Sequence, residues 1–200
     1  MKIRMHSRLE RSRVNGPGSR AVIWLQGCSL NCPGCWNPLS HSNEGGTTVE
    51  IISLVQWVAD LNANDLIDGL TISGGEPMEQ ASGVLAIVQG LRLRVPEISI
   101  GLFSGYTESE LARGAFLSRD ADTPSHQADF WRGICQHLDF AVLGRFNSHR
   151  PSHQPLVSSQ NQALLLLTDR HSSNDFSPLS VEFTIDSLGI TQITGFPILQ

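Results

Sequence analysis

Three of the four cysteines of the chain, Cys28, Cys32 and Cys35, stand close together in the segment Gln26–Pro38 (QGCSLNCPGCWNP). Their spacing is C-x3-C-x2-C, and the glycines and the proline within the segment let the backbone turn tightly enough to bring three thiolates to one centre. The basic N-terminus has no apolar segment behind it, so we expect a cytoplasmic protein. In a reducing compartment such a cluster favours metal binding over disulfides.

The type of metal centre follows from the number of thiolates. Three cysteines in so short a loop are typical of an iron–sulfur cluster, and a four-iron cluster with three protein ligands keeps one iron open to a small molecule. A structural zinc site with a histidine such as His41 is an alternative, although zinc sites usually pair their cysteines as C-x2-C. A ferredoxin-type carrier needs a fourth ligand, and Cys135 lies in a mixed helical stretch where we expect a small buried residue.

Composition sets limits on the function. The chain has 200 residues and a net charge of −5, which predict one domain over residues 1–200 and make a general nucleic-acid binder unlikely. The basic residues concentrate in residues 1–20, which predicts a solvated basic tail or a docking strip for an acidic partner. Lys2 is the only lysine, which argues against Schiff-base and P-loop chemistry. No apolar run reaches the roughly 18 residues of a membrane span, so no membrane partner is expected.

Short apolar strands alternate with helical stretches along the chain. The pattern predicts strands at 21–25, 69–73, 97–103, 138–143 and 163–168, and helices at 49–61, 80–95, 108–117 and 129–137. Residues 118–128 are expected to form a loop insertion, and 181–185 with 190–193 a hairpin. This alternation predicts an α/β fold, a partial (β/α) barrel that is open on one side because there are too few units to close it.

Polar clusters directly follow four of the predicted strands. They contain Cys28, Gly74-Gly75-Glu76, Ser104-Gly105-Tyr106 and Gly144-Arg145. Because parallel strands end at one edge of the sheet, we expect these clusters to meet there, where (β/α) proteins build active sites.

The second of these clusters belongs to the segment Thr71–Pro77 (TISGGEP). Paired glycines allow a ligand to approach the backbone, and exposed carbonyls accept hydrogen bonds from an ammonium group. Glu76 adds a negative charge beside such an ammonium. Taken alone, the segment is a weak signal for a turn.

C-x3-C-x2-C followed by the aromatic Trp36, together with the GGEP segment, resembles the radical S-adenosylmethionine superfamily. The resemblance implies a 4Fe–4S cluster that reductively cleaves S-adenosylmethionine to a 5′-deoxyadenosyl radical, which abstracts hydrogen from a substrate. It implies that the three cysteines of the segment bind the cluster and act in catalysis through it. Further contacts with S-adenosylmethionine are implied for Trp36, Gly74, Gly75, Glu76, Pro77 and, by position, Ser104.

Other segments resemble the anaerobic ribonucleotide reductase activating proteins and, with them, the glycyl radical enzyme activase branch. They are 15–20 (NGPGSR), 104–107 (SGYT), 158–162 (SSQNQ) and 189–197 (GITQITGFP). Residues 139–146 (DFAVLGRF) resemble the branch's D-x-L-x-D-G-x-F segment, with Leu143 in place of the second aspartate and Arg145 in place of the usual proline.

This narrower resemblance implies an activating enzyme that installs a glycyl radical on a protein partner such as anaerobic ribonucleotide reductase. It also implies a flavodoxin- or ferredoxin-type electron donor. Leu143 and Arg145 leave open a stand-alone radical enzyme that modifies a peptide, nucleoside or other metabolite. A non-catalytic iron–sulfur carrier or sensor is a third reading, which the GGEP segment disfavours because a carrier has no use for an ammonium site.

Overall fold

The computed structural model describes residues 1–121, 123–178, 180–185, 189 and 191–196. These ranges contain strands β1 (Lys2–Ser12), β2 (Arg20–Leu25), β3 (Thr47–Glu50), β4 (Gly69–Gly74), β5 (Ser99–Ser104), β6 (Phe140–Leu143), β7 (Ala163–Leu166), β8 (Val181–Ile185) and β9 (Thr191–Gly195). The α-helices are α1 (Ile51–Ala63), α2 (Ala81–Arg94), α3 (Glu108–Ala112) and α4 (Pro124–Cys135). No helix in the described ranges combines the length and the apolar character that a membrane crossing requires.

One seven-stranded sheet organises the fold, in the order β3-β1-β2-β4-β5-β6-β7. Strands β2, β4, β5 and β6 are parallel neighbours, because helical crossovers return the chain to the same end of the sheet each time. The outer pairs are antiparallel. The prediction of an α/β fold with an open parallel core is therefore confirmed.

The two faces of the sheet are covered differently. Helices α1, α2 and α4 pack on one face over a large apolar core, to which α1 contributes Leu54, Val55, Val58 and Leu61 at helical spacing. The opposite face carries a smaller cluster around Phe140 and Val142, which the chain after β6 supplies with Leu156, Val157 and Phe176. The carboxyl ends of the parallel strands lie between these two layers.

The interpretation of residues 1–20 as a solvated tail is wrong for Lys2–Ser12, which forms β1 between β2 and β3. Ile3, Met5 and Leu9 face the core, whereas Lys2 and Arg8 are exposed. These three apolar residues stand among charged and polar ones, and this is why the sequence pattern did not reveal the strand.

The expected loop over 118–128 is also wrong in its second half, where α4 begins at Pro124. Thr123 caps this helix by accepting a hydrogen bond from the backbone N–H of His126 at 3.3 Å, and proline is well suited to a first helical turn. Asp122 lies outside the described residues. Helix α3 is shorter than expected and ends at Ala112.

The last part of the chain forms strands without further helical crossovers. Strand β7 pairs antiparallel with β6, because the irregular segment between them contains no α-helix that could return the chain for a parallel pairing. Strands β8 and β9 pair as the expected hairpin. The described residues do not include 186–188, which belong to the turn expected between these strands. They also do not include Ile190 and Pro197, which belong to the segment 189–197.

Candidate active site

The polar clusters at the carboxyl edge meet around one cavity of about 240 Å³. The predicted site residues that line it are Cys28, Cys32, Cys35, Trp36, Gly74, Gly75, Glu76 and Ser104. Pro77 does not line it, since it is buried at the start of a short 3-10 helix, Pro77–Gln80. Met78 of the same turn is fully buried in the helix-side core.

The cysteine segment follows β2 and is fixed by backbone hydrogen bonds. The N–H of Gly27 donates to the carbonyl of Ser40 at 2.7 Å, and that of Cys28 to the carbonyl of His41 at 3.0 Å. Gly27 has a φ of +105°, a backbone conformation that favours glycine and turns the chain sharply out of the strand. The three thiols therefore leave the sheet edge on a short, closed loop.

Burial governs the chemistry of the thiols. It raises the pKa of Cys28 to about 11, to which the nearby negative charges of Glu76 and Glu79 also contribute, and it raises the pKa of Cys35. The backbone N–H of Asn37 donates to Cys35 Sγ at 3.4 Å, a contact that stabilises a thiolate. Because metal ligation requires thiolates, cluster binding should release protons from this loop.

The donor set fits an iron–sulfur cluster with three protein ligands. The remaining cysteine, Cys135, lies on α4 in a surface groove with Ala128 and Trp131, away from the cavity. His41 does line the cavity, with Nδ1 3.0 Å from Asn31 Oδ1. Within the described residues, however, no three His, Cys, Asp or Glu side chains lie close enough together to hold a single metal ion.

The two glycines of the GGEP segment approach the cysteine loop itself. A Cβ at Gly74 would collide with the backbone of Leu25, and one at Gly75 with the backbone of Gly27. The N–H of Gly75 donates to the carbonyl of Leu25, and that of Glu76 to the carbonyl of Gly27, both at 2.8 Å. Both glycines line the cavity, and the close neighbour that requires their small size is the chain's own backbone.

Glu76 is a fully buried carboxylate on the cavity wall. Oε1 accepts hydrogen bonds from the N–H of Met78 at 2.9 Å and from Ser104 Oγ at 2.8 Å, and Oε2 accepts from the N–H of Gly105 at 2.7 Å. Burial raises the pKa of Glu76 to about 7, and it forms no ion pair with the described residues. A cationic group in the cavity would supply the missing counter-charge.

Aromatic side chains form the part of the wall that the sequence analysis missed, apart from Trp36. The ring of Trp36 lies 5.1 Å from that of Phe146 and 5.8 Å from that of Phe196, and Phe196 stacks on Phe103. The buried indole Nε1 of Trp36 has no hydrogen-bond partner among the described residues. This unused donor fits a ligand that carries an acceptor. Only tertiary folding brings these rings together, although Phe103 could have been found from its place at the end of a predicted strand.

The two departures from the D-x-L-x-D-G-x-F pattern have different surroundings. Leu143 is buried in the helix-side core, because alternation along β6 turns it away from the cavity, which Val142 and Gly144 line. Arg145 Nη1 donates to both carboxylate oxygens of Glu110 at 2.9 Å and holds the pKa of Glu110 at about 2.

Comparison with known proteins agrees with this architecture. Residues 14–165 match the family described as "4Fe-4S single cluster domain". The chain therefore belongs to this family of radical S-adenosylmethionine proteins. The proteins to which the chain is similar include several anaerobic ribonucleoside-triphosphate reductase-activating proteins.

Three of these relatives illustrate the extent of the similarity. The Haemophilus influenzae protein is 30% identical over 142 residues, which are 62% of this chain and 89% of the relative. The protein of Enterobacteria phage T4 is 25% identical over 78% of this chain and 89% of the relative. The Vibrio cholerae protein is 38% identical over 101 residues, 49% of this chain, and only 65% of that relative is covered. Among solved structures, QueE from Escherichia coli matches with a TM-score of 0.41 and 15% identity over 54% of each chain.

Proposed function

We propose that the chain is an activating enzyme that generates a glycyl radical on a protein partner, an anaerobic ribonucleoside-triphosphate reductase. The observation that carries this proposal is one cavity lined both by three thiols and by a buried carboxylate, for which the described part of the chain supplies no counter-charge. A carrier of electrons has no use for a buried carboxylate that is ready to pair with a cation. A cluster that binds and cleaves S-adenosylmethionine also needs a place for the methionine ammonium.

Each residue of the cavity has a proposed role. Cys28, Cys32 and Cys35 hold the cluster, and Glu76 binds the ammonium group, kept in orientation by Ser104 and the backbone N–H of Gly105. When bound and reduced by a flavodoxin- or ferredoxin-type donor, the 4Fe–4S cluster supplies the electron that cleaves S-adenosylmethionine to a 5′-deoxyadenosyl radical. Ser104 acts through Glu76, because its hydroxyl proton is already donated to that carboxylate.

The aromatic wall is proposed to orient the cofactor and exclude water. The indole N–H of Trp36 is free to donate to an acceptor on the ligand, and Phe103, Phe146 and Phe196 present apolar surface beside it. A closed, apolar wall of this kind would exclude water and hold a reactive intermediate in place until it meets the substrate.

The identity of the partner is proposed from the similarity to reductase-activating proteins, two of which are covered over 89% of their length. Leu143 and Arg145, the two departures from the D-x-L-x-D-G-x-F pattern, are weaker arguments for a stand-alone enzyme than the sequence suggests. Leu143 does not line the cavity, and the Arg145 guanidinium is paired with Glu110.

The test is an anaerobic incubation of the reconstituted, reduced protein with S-adenosylmethionine and an anaerobic ribonucleoside-triphosphate reductase from the same cell. We expect a glycyl radical signal on the reductase and about one 5′-deoxyadenosine per radical; Cys32→Ala serves as the control and should give neither. Release of 5′-deoxyadenosine with consumption of a peptide or metabolite, and no radical on the reductase, would establish the stand-alone enzyme instead. A stable cluster that never cleaves S-adenosylmethionine would establish a carrier.

A further inference from the structure

A second buried glutamate lies three residues after Glu76, and its surroundings differ from those of Glu76. The Glu79 side chain is 1% exposed, and its Oε1 accepts a hydrogen bond from the backbone N–H of Ser29 at 2.5 Å. Ser29 directly follows the first of the three cysteines. Glu79 does not line the cavity, so its carboxylate holds the cysteine loop from behind.

The counter-charge of Glu79 comes from the segment that the sequence analysis treated as an insertion. Arg119 Nη2 lies 3.3 Å from Glu79 Oε2, and the N–H of Arg119 donates to the carbonyl of Glu79 at 3.0 Å. The neighbouring Asp120 fixes this segment, because its Oδ2 accepts from Ser82 Oγ at 2.7 Å at the start of α2.

The Arg119 guanidinium also touches the cysteine loop itself. It lies over Gly27, where a Cβ would collide with Nη2, and it donates to Asn43 Oδ1 in the returning part of the loop. One guanidinium therefore contacts the beginning and the end of the loop and, through Glu79, the backbone next to Cys28.

We propose that Glu79 and Arg119 form a positioning pair that holds the cysteine loop in the shape the cluster requires. This inference rests on the proposed cluster site. Neither side chain lines the cavity, so the pair acts through the loop and not on the substrate. Loss of Arg119 alone leaves a buried carboxylate without its cation, which is strongly destabilising. Removal of both charges leaves no unpaired buried charge and is far better tolerated.

The experiment compares Arg119→Met, Glu79→Gln and the double variant with wild type, and uses Arg132→Met as a charge-matched control on the exposed face of α4. In cluster-free protein, hydrogen exchange of the Ser29 amide should be about tenfold faster in Arg119→Met, the effect of losing one charge-assisted hydrogen bond. After anaerobic reconstitution, Arg119→Met should lose its cluster to a chelator about tenfold faster and show an altered spin spectrum of the reduced cluster. The double variant should recover most of both losses.

Circular dichroism of each variant separates these local effects from unfolding. The positioning role would be overturned if Arg119→Met had the same amide exchange and the same cluster retention as wild type and the Arg132→Met control. A double variant that is worse than Arg119→Met would also overturn it. Failure of the wild-type protein to assemble a cluster would instead refute the proposed function, and the amide exchange would still report whether the pair holds the loop.

Discussion

The buried Glu76 makes the stability of the cluster-free protein depend on pH in a way that can be calculated. Burial raises its pKa from 4.5 to about 7. Between these values the folded protein keeps the Glu76 proton while the unfolded chain has released it, so the folded state binds more protons and loses stability as the pH rises. Each pKa unit corresponds to about 1.4 kcal/mol, which gives a loss of about 3 kcal/mol across the window.

Glu76→Gln removes this titration. The glutamine loses the hydrogen bond that Oε2 accepts from the N–H of Gly105, at a cost of about 1–3 kcal/mol that does not vary with pH. The free energy of unfolding is therefore compared between wild type and variant at each pH. The diagnostic result is how this difference changes as the pH rises. We expect this difference to shift by about 3 kcal/mol in favour of the variant from about pH 4.5 to about pH 8.

The assay is urea denaturation of cluster-free protein over this pH range, with Glu108→Gln as control because Glu108 is an exposed carboxylate at the start of α3. The reasoning would be refuted if the free energies of unfolding of wild type and Glu76→Gln, plotted against pH, gave parallel curves. In the cluster-loaded protein, S-adenosylmethionine should bind more tightly as Glu76 ionises, so its affinity, measured by calorimetry, should rise with pH up to about 7 and be flat over that range in Glu76→Gln.

Four further substitutions test the site. Cys35→Ala should abolish the cluster and Cys135→Ala should keep it, measured as iron and sulfide content; cluster loss in the second variant contradicts the ligand set. Gly75→Val should lower the free energy of unfolding by about 1–3 kcal/mol and impair cluster assembly, because the side chain meets the Gly27 backbone. An intact cluster with only weaker cofactor binding would instead place the valine in the cavity. Thr194→Val removes the hydrogen bond from Asn15 Nδ2 at 2.9 Å and should speed amide exchange in 191–196, whereas unchanged exchange would show that the bond does not hold the hairpin.

Local patterns predicted the central sheet well. The strands β2, β4 and β5 are short apolar runs bounded by glycine and polar residues, and the helices between them keep apolar spacing, so the parallel core followed from chain order. Strand β1 was missed because its three apolar residues, Ile3, Met5 and Leu9, stand among charged and polar ones. The first turn of α4 was missed because its serine, histidine and glutamine residues carry no apolar pattern, although Thr123-Pro124 is a helix-start signal.

For the site, the sequence identified residue types but not their surroundings. Spacing alone placed the cysteines and the GGEP segment at one edge of the sheet. The aromatic wall as a whole could not be predicted, because Phe146 and Phe196 come from distant parts of the chain and meet Phe103 only through tertiary packing. The same holds for Arg119 and Glu79, since nothing in a polar loop indicates which buried carboxylate it will neutralise.

Glu76 and Glu79 show how one short segment serves two purposes. Both carboxylates are buried, and both accept backbone hydrogen bonds. Arg119 forms an ion pair with Glu79, so the charge of Glu79 is balanced within the protein and serves the structure. Glu76 lines the cavity without a described ion pair, so its ionised form accepts hydrogen bonds but gains a counter-charge only when a cation enters. Because a buried carboxylate is costly to maintain in the absence of such a cation, its position beside three thiols is better explained by cofactor binding than by folding.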